Sequence, residues 1–177
     1  GIVHRDLKPA NLYLSRMADG SRVVKVLDFG ISKVTRSAAG ATTASADTRL
    51  ASMSMTGAGE VIGSPWYMSP EQLQATKNVD ARTDIWSLGV VLYELLTGAR
   101  PFEGEGAAAV GARIAAAEPR ATATTGVSIT PRLEAVLFHA LCKKPEERYA
   151  DVSELAEALA PFGTEAARQS TGRIARV

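Results

Sequence analysis

Two short strand-like runs stand near the start of the chain, "NLYLS" and "RVVKVLDF", and the segment between them, "RMADGS", carries the turn signal Asp19-Gly20. That pattern predicts two paired strands. Residues 30 to 60 are dominated by Ala, Ser, Thr and Gly, with too few large apolar groups to pack a core. A mobile loop is expected there, and a loop of that length inside a compact domain is functional or disordered.

Helical periodicity takes over afterwards. "SPEQLQA" opens with Ser69 as N-cap, Pro70 at the first helical position and Gln72 three residues after the cap. In "DIWSLGVVLYELLTG" the residues Ile85, Trp86, Leu88, Val90, Val91, Leu92, Leu95 and Leu96 cover nearly all sides, which predicts a helix enclosed by protein and ended by Gly98. "GAAAVGARIAAAE" reads as a thinner surface helix. "PRLEAVLFHALCK" places Leu133, Val136, Leu137 and Leu141 on one stripe, and "DVSELAEAL" has Asp151 as cap with Glu154 three residues on. From residue 163 periodicity is lost, and Arg168, Arg173 and Arg176 give that stretch the look of a linker. The expected architecture is mainly α with a small β ribbon, as one domain over residues 1–162 and a linker or tail over 163–177.

Composition narrows this without changing it. At 177 residues, 46% hydrophobic and 22% charged, the chain has the make-up of a single globular domain. A net charge of +1 offers no global attraction to nucleic acid or acidic membranes. The lone Cys142 cannot form an internal disulfide, and its apolar company favours a buried thiol in a reducing, cytoplasmic setting. No apolar run is long enough to span a membrane within the chain; the basic tail leaves a membrane tether beyond Val177 as an alternative. The chain begins at Gly1 rather than Met, and "GIV" runs straight into polar residues, so a segment cut from a longer polypeptide is expected.

The polar cluster "HRDLKPAN", residues 4–11, carries candidate chemistry. Phosphoryl transfer needs a carboxylate to orient the attacking hydroxyl, a cation near the moving group, and oxygen ligands for metal ions. Asp6 is the candidate base, Lys8 the cation, and Asn11 an amide oxygen for Mg²⁺. Asp28, in "LDFG" at the end of an apolar strand, offers a second metal-binding carboxylate.

"HRDLKPAN", then "DFG" with its aspartate seventeen residues past Asn11, "GSPWYMSPE" and "DIWSLGVVLYELLTG" occur in this order. Together they resemble the catalytic, C-terminal large lobe of a eukaryotic-type protein kinase, over roughly residues 1 to 160. "KPAN" is similar to the serine/threonine branch, of the bacterial type. The resemblance implies ATP and Mg²⁺ as cofactors and protein substrates as partners. It implies Asp6 as catalytic aspartate, Lys8 as stabiliser of the transferring phosphoryl group, and Asn11 with Asp28 as Mg²⁺ ligands. Ser64 stands where threonine is more frequent in the substrate platform, and its hydroxyl can still bond to Asp6 and Lys8. His4 and Phe29 read as structural residues. Asp84 has two open readings, a charge complementing a helix dipole or an acceptor for the backbone of the catalytic loop. Glu71 and Arg148 resemble a buried ion pair. Arg5 is a candidate dock for a phosphate on Thr48, Ser52, Ser54 or Thr56.

The resemblance also implies parts that this sequence does not carry: a glycine-rich loop over the phosphates, a strand lysine and a helix glutamate supporting it. "GAGEVIG" follows the long loop rather than a strand, and Lys25 precedes the "DFG" aspartate by three residues, so neither fills those roles. The small N-terminal lobe is thus the missing partner, and the chain alone is expected to be weak or inactive. Two further readings stay open: an inactive kinase-like binding module, and a small-molecule phosphotransferase, against which the peptide platform "GSPWYMSPE" speaks.

Overall fold

The computed structural model describes residues 3–27, 65–74 and 79–174. Asp28, Phe29, Ser64 and the loop hydroxyls of Thr48, Ser52, Ser54 and Thr56 lie outside the described residues, as does the long loop itself. What is described is mostly helical with a small antiparallel ribbon, as the patterning predicts.

Strands β1 (Leu12–Arg16) and β2 (Arg22–Val26) pair in the register Leu12↔Val26, Leu14↔Val24, Arg16↔Arg22. The turn closes where Asp19-Gly20 places it. Gly20 sits at φ +82°, a conformation that costs other residues strain, and its N–H donates to the Met17 carbonyl at 3.0 Å. Six α-helices follow among the described residues: α1 (Pro70–Leu73), α2 (Arg82–Thr97), α3 (Gly106–Ala116), α4 (Pro131–Ala140), α5 (Val152–Leu159) and α6 (Glu165–Ile174). None of the described helices is long and apolar enough to cross a membrane.

The single turn of α1 is fixed by its capping box. Ser69 Oγ accepts from the Gln72 N–H at 3.4 Å while Gln72 Oε1 accepts from the Ser69 N–H at 3.0 Å. Helix α2 is the axis of the core. Trp86, Val90 and Tyr93 are fully buried along it, and Trp86 stacks on Phe102 with centroids 5.5 Å apart. Gly98, at φ +71°, ends the helix by donating to the Glu94 carbonyl at 2.8 Å. Helix α4 crosses close to α2 at Gly89, where an added Cβ would lie 3.0 Å from the Ala140 Cβ and 3.1 Å from the Leu141 side chain.

Three expectations are corrected. Helix α2 is not enclosed on all sides: Leu95 is 73% and Leu96 38% exposed, forming one bare edge over an apolar cavity of about 630 Å³. Periodicity reports which side of a helix is apolar, not whether anything covers it. Helix α3 is more than a surface element, because Val110 and Ile114, one turn apart, are fully buried against the α2 core. Residues 165–174 form a helix where a linker is expected. Its apolar stripe is made of small groups, Ala167, Thr171 and Ile174, which line the cavity below Leu95 and Leu96. A stripe of one isoleucine, a threonine and an alanine barely registers as hydrophobic periodicity.

Helix α5 is capped at Asp151, whose Oδ1 accepts from the N–H groups of Ser153 and Glu154 at 2.9 and 3.0 Å. The reciprocal bond of the expected box falls one residue earlier, since Glu154 takes the N–H of Ala150. Cys142 is half-buried, and burial pushes its thiol upward.

An ion pair joins the start of this helical body to its end. Arg148 grips Glu71 through two parallel bonds of 2.8 Å, with its guanidinium wholly buried. Its remaining N–H groups donate to the carbonyls of Cys142, Arg82 and Lys143 at 2.8, 3.0 and 3.0 Å. All five donors of the guanidinium are therefore used, which is the condition under which burying such a charge is tolerable. Burial pushes the Glu71 carboxyl upward, but the hydrogen bonds and charge of Arg148 outweigh it, and the net direction is downward.

Because the folded-state value of Glu71 is depressed, its contribution is complete above the ordinary value of 4.5 and is lost as pH falls through the lower folded value. Replacing Glu71 by Gln is expected to cost about 3–5 kcal/mol by leaving Arg148 buried and unneutralised. Urea unfolding of both proteins at neutral pH measures that gap. Repeating it on acidification below the ordinary glutamate range should show the gap closing.

Candidate active site

The polar cluster spans the segment between the start of the described chain and β1. His4 is buried, and its ring is held on both sides: Nε2 lies 3.2 Å from the Leu27 carbonyl and Nδ1 accepts from the Asp6 N–H at 3.3 Å. With Nδ1 accepting, the ring proton belongs on Nε2, where it can be donated to Leu27. Arg5 adopts φ +66°, the one non-glycine residue with positive φ among those described. Such a conformation is costly and persists only where surrounding contacts over-determine it.

Those contacts are visible. Asp84, in the first turn of α2, accepts from the His4 N–H at 2.7 Å through Oδ2 and from the Arg5 N–H at 2.9 Å through Oδ1. The two readings open for Asp84 are thereby decided in favour of the loop backbone, with the helix start supplying its position. Gln72 adds a third tether, its Nε2 donating to the Arg5 carbonyl at 2.8 Å. Sequence reasoning sees Gln72 only as the closing residue of a capping box. Its second bond joins residues 67 apart, and no local signal reports a contact at that separation.

Held this way, the loop presents Asp6. Lys8 Nζ lies 2.9 Å from Asp6 Oδ2, with both side chains about one-fifth exposed. Asn11 Nδ2 donates to the Asp6 carbonyl at 2.8 Å and to Oδ2 at 3.3 Å. Asn11 is buried at the end of a short 3₁₀ turn, Pro9–Asn11, whose closing bond runs from the Asn11 N–H to the Lys8 carbonyl at 2.9 Å. The carbonyl of Asn11 accepts the N–H of Leu27 at 2.8 Å, so the end of the ribbon is stitched to the reactive loop. Leu7 turns the opposite way and is buried, lining an apolar cavity with Leu12, Ile85 and Leu88.

The structure thus brings three of the four expected centre residues together, Asp6, Lys8 and Asn11; the fourth, Asp28, lies outside the described residues. Among the described residues no group of three His, Cys, Asp or Glu side chains is arranged to hold a metal ion. Asn11 fits such a role chemically. Its amide nitrogen is committed to Asp6, so the atom it can offer to a cation is the oxygen Oδ1, a hard ligand suited to Mg²⁺.

A family model described as the protein kinase domain matches residues 1–159. The serine/threonine-protein kinase Pkn1 of Myxococcus xanthus is 43% identical over 159 residues, covering 90% of this chain and 21% of that protein. PknB of Mycolicibacterium smegmatis, also a serine/threonine-protein kinase, is 41% identical over 155 residues, 88% of this chain and 22% of its own length. PknB of Mycobacterium tuberculosis is 37% identical with the same coverage of 88% and 22%. The chain spans about a fifth of the length of these curated relatives.

Replacing Asp84 by Asn leaves the shape but turns one of two anionic acceptors into a donor. Hydrogen bonds to a charged group are worth about 1.5–3 kcal/mol, so amide exchange at His4 and Arg5 should quicken by tenfold or more. Amides in the middle of α2 should keep their protection, and exchange measured residue by residue checks both.

Proposed function

The chain belongs to the protein kinase family, and from that premise we propose that it is the large-lobe part of a serine/threonine kinase that moves the γ-phosphoryl group of ATP to Ser and Thr hydroxyls of proteins. The observation that carries this reading is the convergence of the Lys8 ammonium and the Asn11 amide on one oxygen of the Asp6 carboxylate, at 2.9 and 3.3 Å. In the reaction the substrate hydroxyl oxygen forms the new bond to the γ-phosphorus, its proton passes to Asp6, and the bond to ADP breaks. Asp6 Oδ2 is oriented for this by Lys8 and Asn11. Lys8 is one side chain away from the carboxylate, where its charge can meet the oxygens of the group in transit. Asn11 Oδ1 and Asp28 would hold Mg²⁺, which supplies charge neutralisation on the nucleotide phosphates.

A bare carboxylate with no orienting partners would favour the reading of an inactive binding module. Here Asp6 is tied by two side chains, and the strained Arg5 beside it is held by Asp84 and Gln72. Strain kept in place at that cost fits a working site. The nucleotide is gripped from one side only by the residues of this chain, since the glycine-rich loop, strand lysine and helix glutamate are not among them.

Calorimetry of the 177-residue chain with ATP and Mg²⁺ should show no binding in the micromolar range, and micromolar affinity would contradict the one-sided cleft. In the complete kinase, Asp6→Asn should lower transfer of labelled phosphate to protein by about 10²-fold or more. Undiminished transfer would remove Asp6 from its role.

A further inference from the structure

An arginine is built into the surface that runs from the Asp6 loop towards the C-terminal end of α2. The path is short and bonded. Gln72 holds the Arg5 carbonyl, and five residues before Gln72 stands Tyr67, at the end of the 3₁₀ turn Pro65–Tyr67. The Tyr67 carbonyl accepts from Ser87 Oγ of α2 at 2.8 Å, and its phenol donates to Glu94 Oε2 about two turns further along. Burial, together with the bond to Glu94, pushes that phenol up to about 12, so it remains a donor at neutral pH. The second oxygen, Glu94 Oε1, accepts from Arg100 Nε at 3.3 Å. The guanidinium lies over the Trp66 ring, 4.6 Å from its centroid, and 5.9 Å from that of Tyr67.

Two basic groups of the same kind can be compared. Arg148 spends all five of its donors on protein acceptors and is buried. Arg100 donates through Nε to Glu94 and lies beside the Tyr67 phenol, while its side chain is 36% exposed. The indole beneath it and the Glu94 bond together restrict how the guanidinium can turn. The terminal Nη1 and Nη2 groups then form a pre-oriented planar fork, the geometry that takes a carboxylate or phosphate through two parallel bonds.

We propose that Arg100 is a specificity-determining residue that receives an anionic side chain, carboxylate or phosphomonoester, of the polypeptide substrate lying along the Asp6 loop. This rests on the reading of the chain as a protein phosphotransferase. A basic side chain arriving at the same place meets a carboxylate whose two oxygens are already engaged by Tyr67 and Arg100, and the charge of Arg100 beside it. Cation stacking and a nearby aromatic wall lower the entropy lost when the fork closes on its ligand.

The test is peptide binding by fluorescence anisotropy at low salt, using one serine-containing peptide in three forms, with glutamates flanking the serine, with phosphoserine at those flanking positions, and with glutamines there, and a lysine-flanked form for the charge-reversed variant. The chain should bind the anionic forms about fivefold or more tightly than the glutamine form. A preference confined to glutamate or to phosphoserine identifies which anion is read. Arg100→Gln should abolish the preference, Arg100→Lys should keep part of it as a point charge without the fork, and Arg100→Glu should reverse it towards a lysine-flanked peptide. Circular dichroism of each variant confirms that it is folded; should Arg100→Gln not fold, the Lys and Glu variants decide. Equal binding of all three peptide forms, or a preference that survives Arg100→Gln, overturns the proposal. The readout is binding, so it stands apart from phosphate transfer, which Asp6→Asn judges separately.

Discussion

Everything at the reactive loop depends on one carboxylate reaching out of the core. Asp84 belongs to α2, whose central residues Trp86 and Val90 are wholly buried, and from that fixed base its two oxygens hold the adjacent N–H groups of His4 and Arg5. Two bonds to one rigid anion set both the position and the direction of the chain entering residue 6. Arg5 is thereby kept in a left-handed conformation that it would leave in a free peptide. The loop is short and polar and buries little apolar surface apart from Leu7, so hydrophobic packing alone could not have fixed the position of Asp6.

The same logic, a core element presenting a charged group to an irregular segment, recurs at the other end of the molecule. Arg148 follows a 3₁₀ turn, Pro145–Glu147, and fixes Glu71 in α1 while donating to the backbone carbonyls of Cys142, Lys143 and Arg82. Helix α1 is one turn long and would not persist alone in water. It is stable because its cap, its Glu71 and its Gln72 are each bonded to something outside it. Since Gln72 also holds Arg5, the Arg148 clamp and the Asp6 loop are mechanically linked through four residues, Pro70–Leu73.

How legible this was in the sequence depended on distance along the chain. The Ser69 and Asp151 caps, the Gly98 stop and the Asp19-Gly20 turn are decided within a few residues, and each stands where the pattern puts it. Three of the four candidate residues stand in "HRDLKPAN" within eight positions, and the geometry among Asp6, Lys8 and Asn11 follows from that closeness. Asp84 was legible only as two alternatives, since nothing near it says whether it faces solvent or a loop some 80 residues away. Gln72 and Arg100 were missed for a related reason: their partners, Arg5 for the one and Trp66 and Glu94 for the other, come together only after the chain has folded. Leu95, Leu96 and helix α6 went astray because apolar content says nothing about what will cover it, and small residues hide a contact stripe.

The ribbon has a consequence of its own. Leu14 and Val24 face each other across it in register, and both are more than half exposed, while among the described residues β1 and β2 each keep one outer margin without a partner strand. A third strand from any neighbouring molecule could hydrogen-bond along that margin and dry the leucine and valine in the same step. Self-association of this chain is therefore favoured at the hairpin as well as at the bare Leu95 and Leu96 edge of α2.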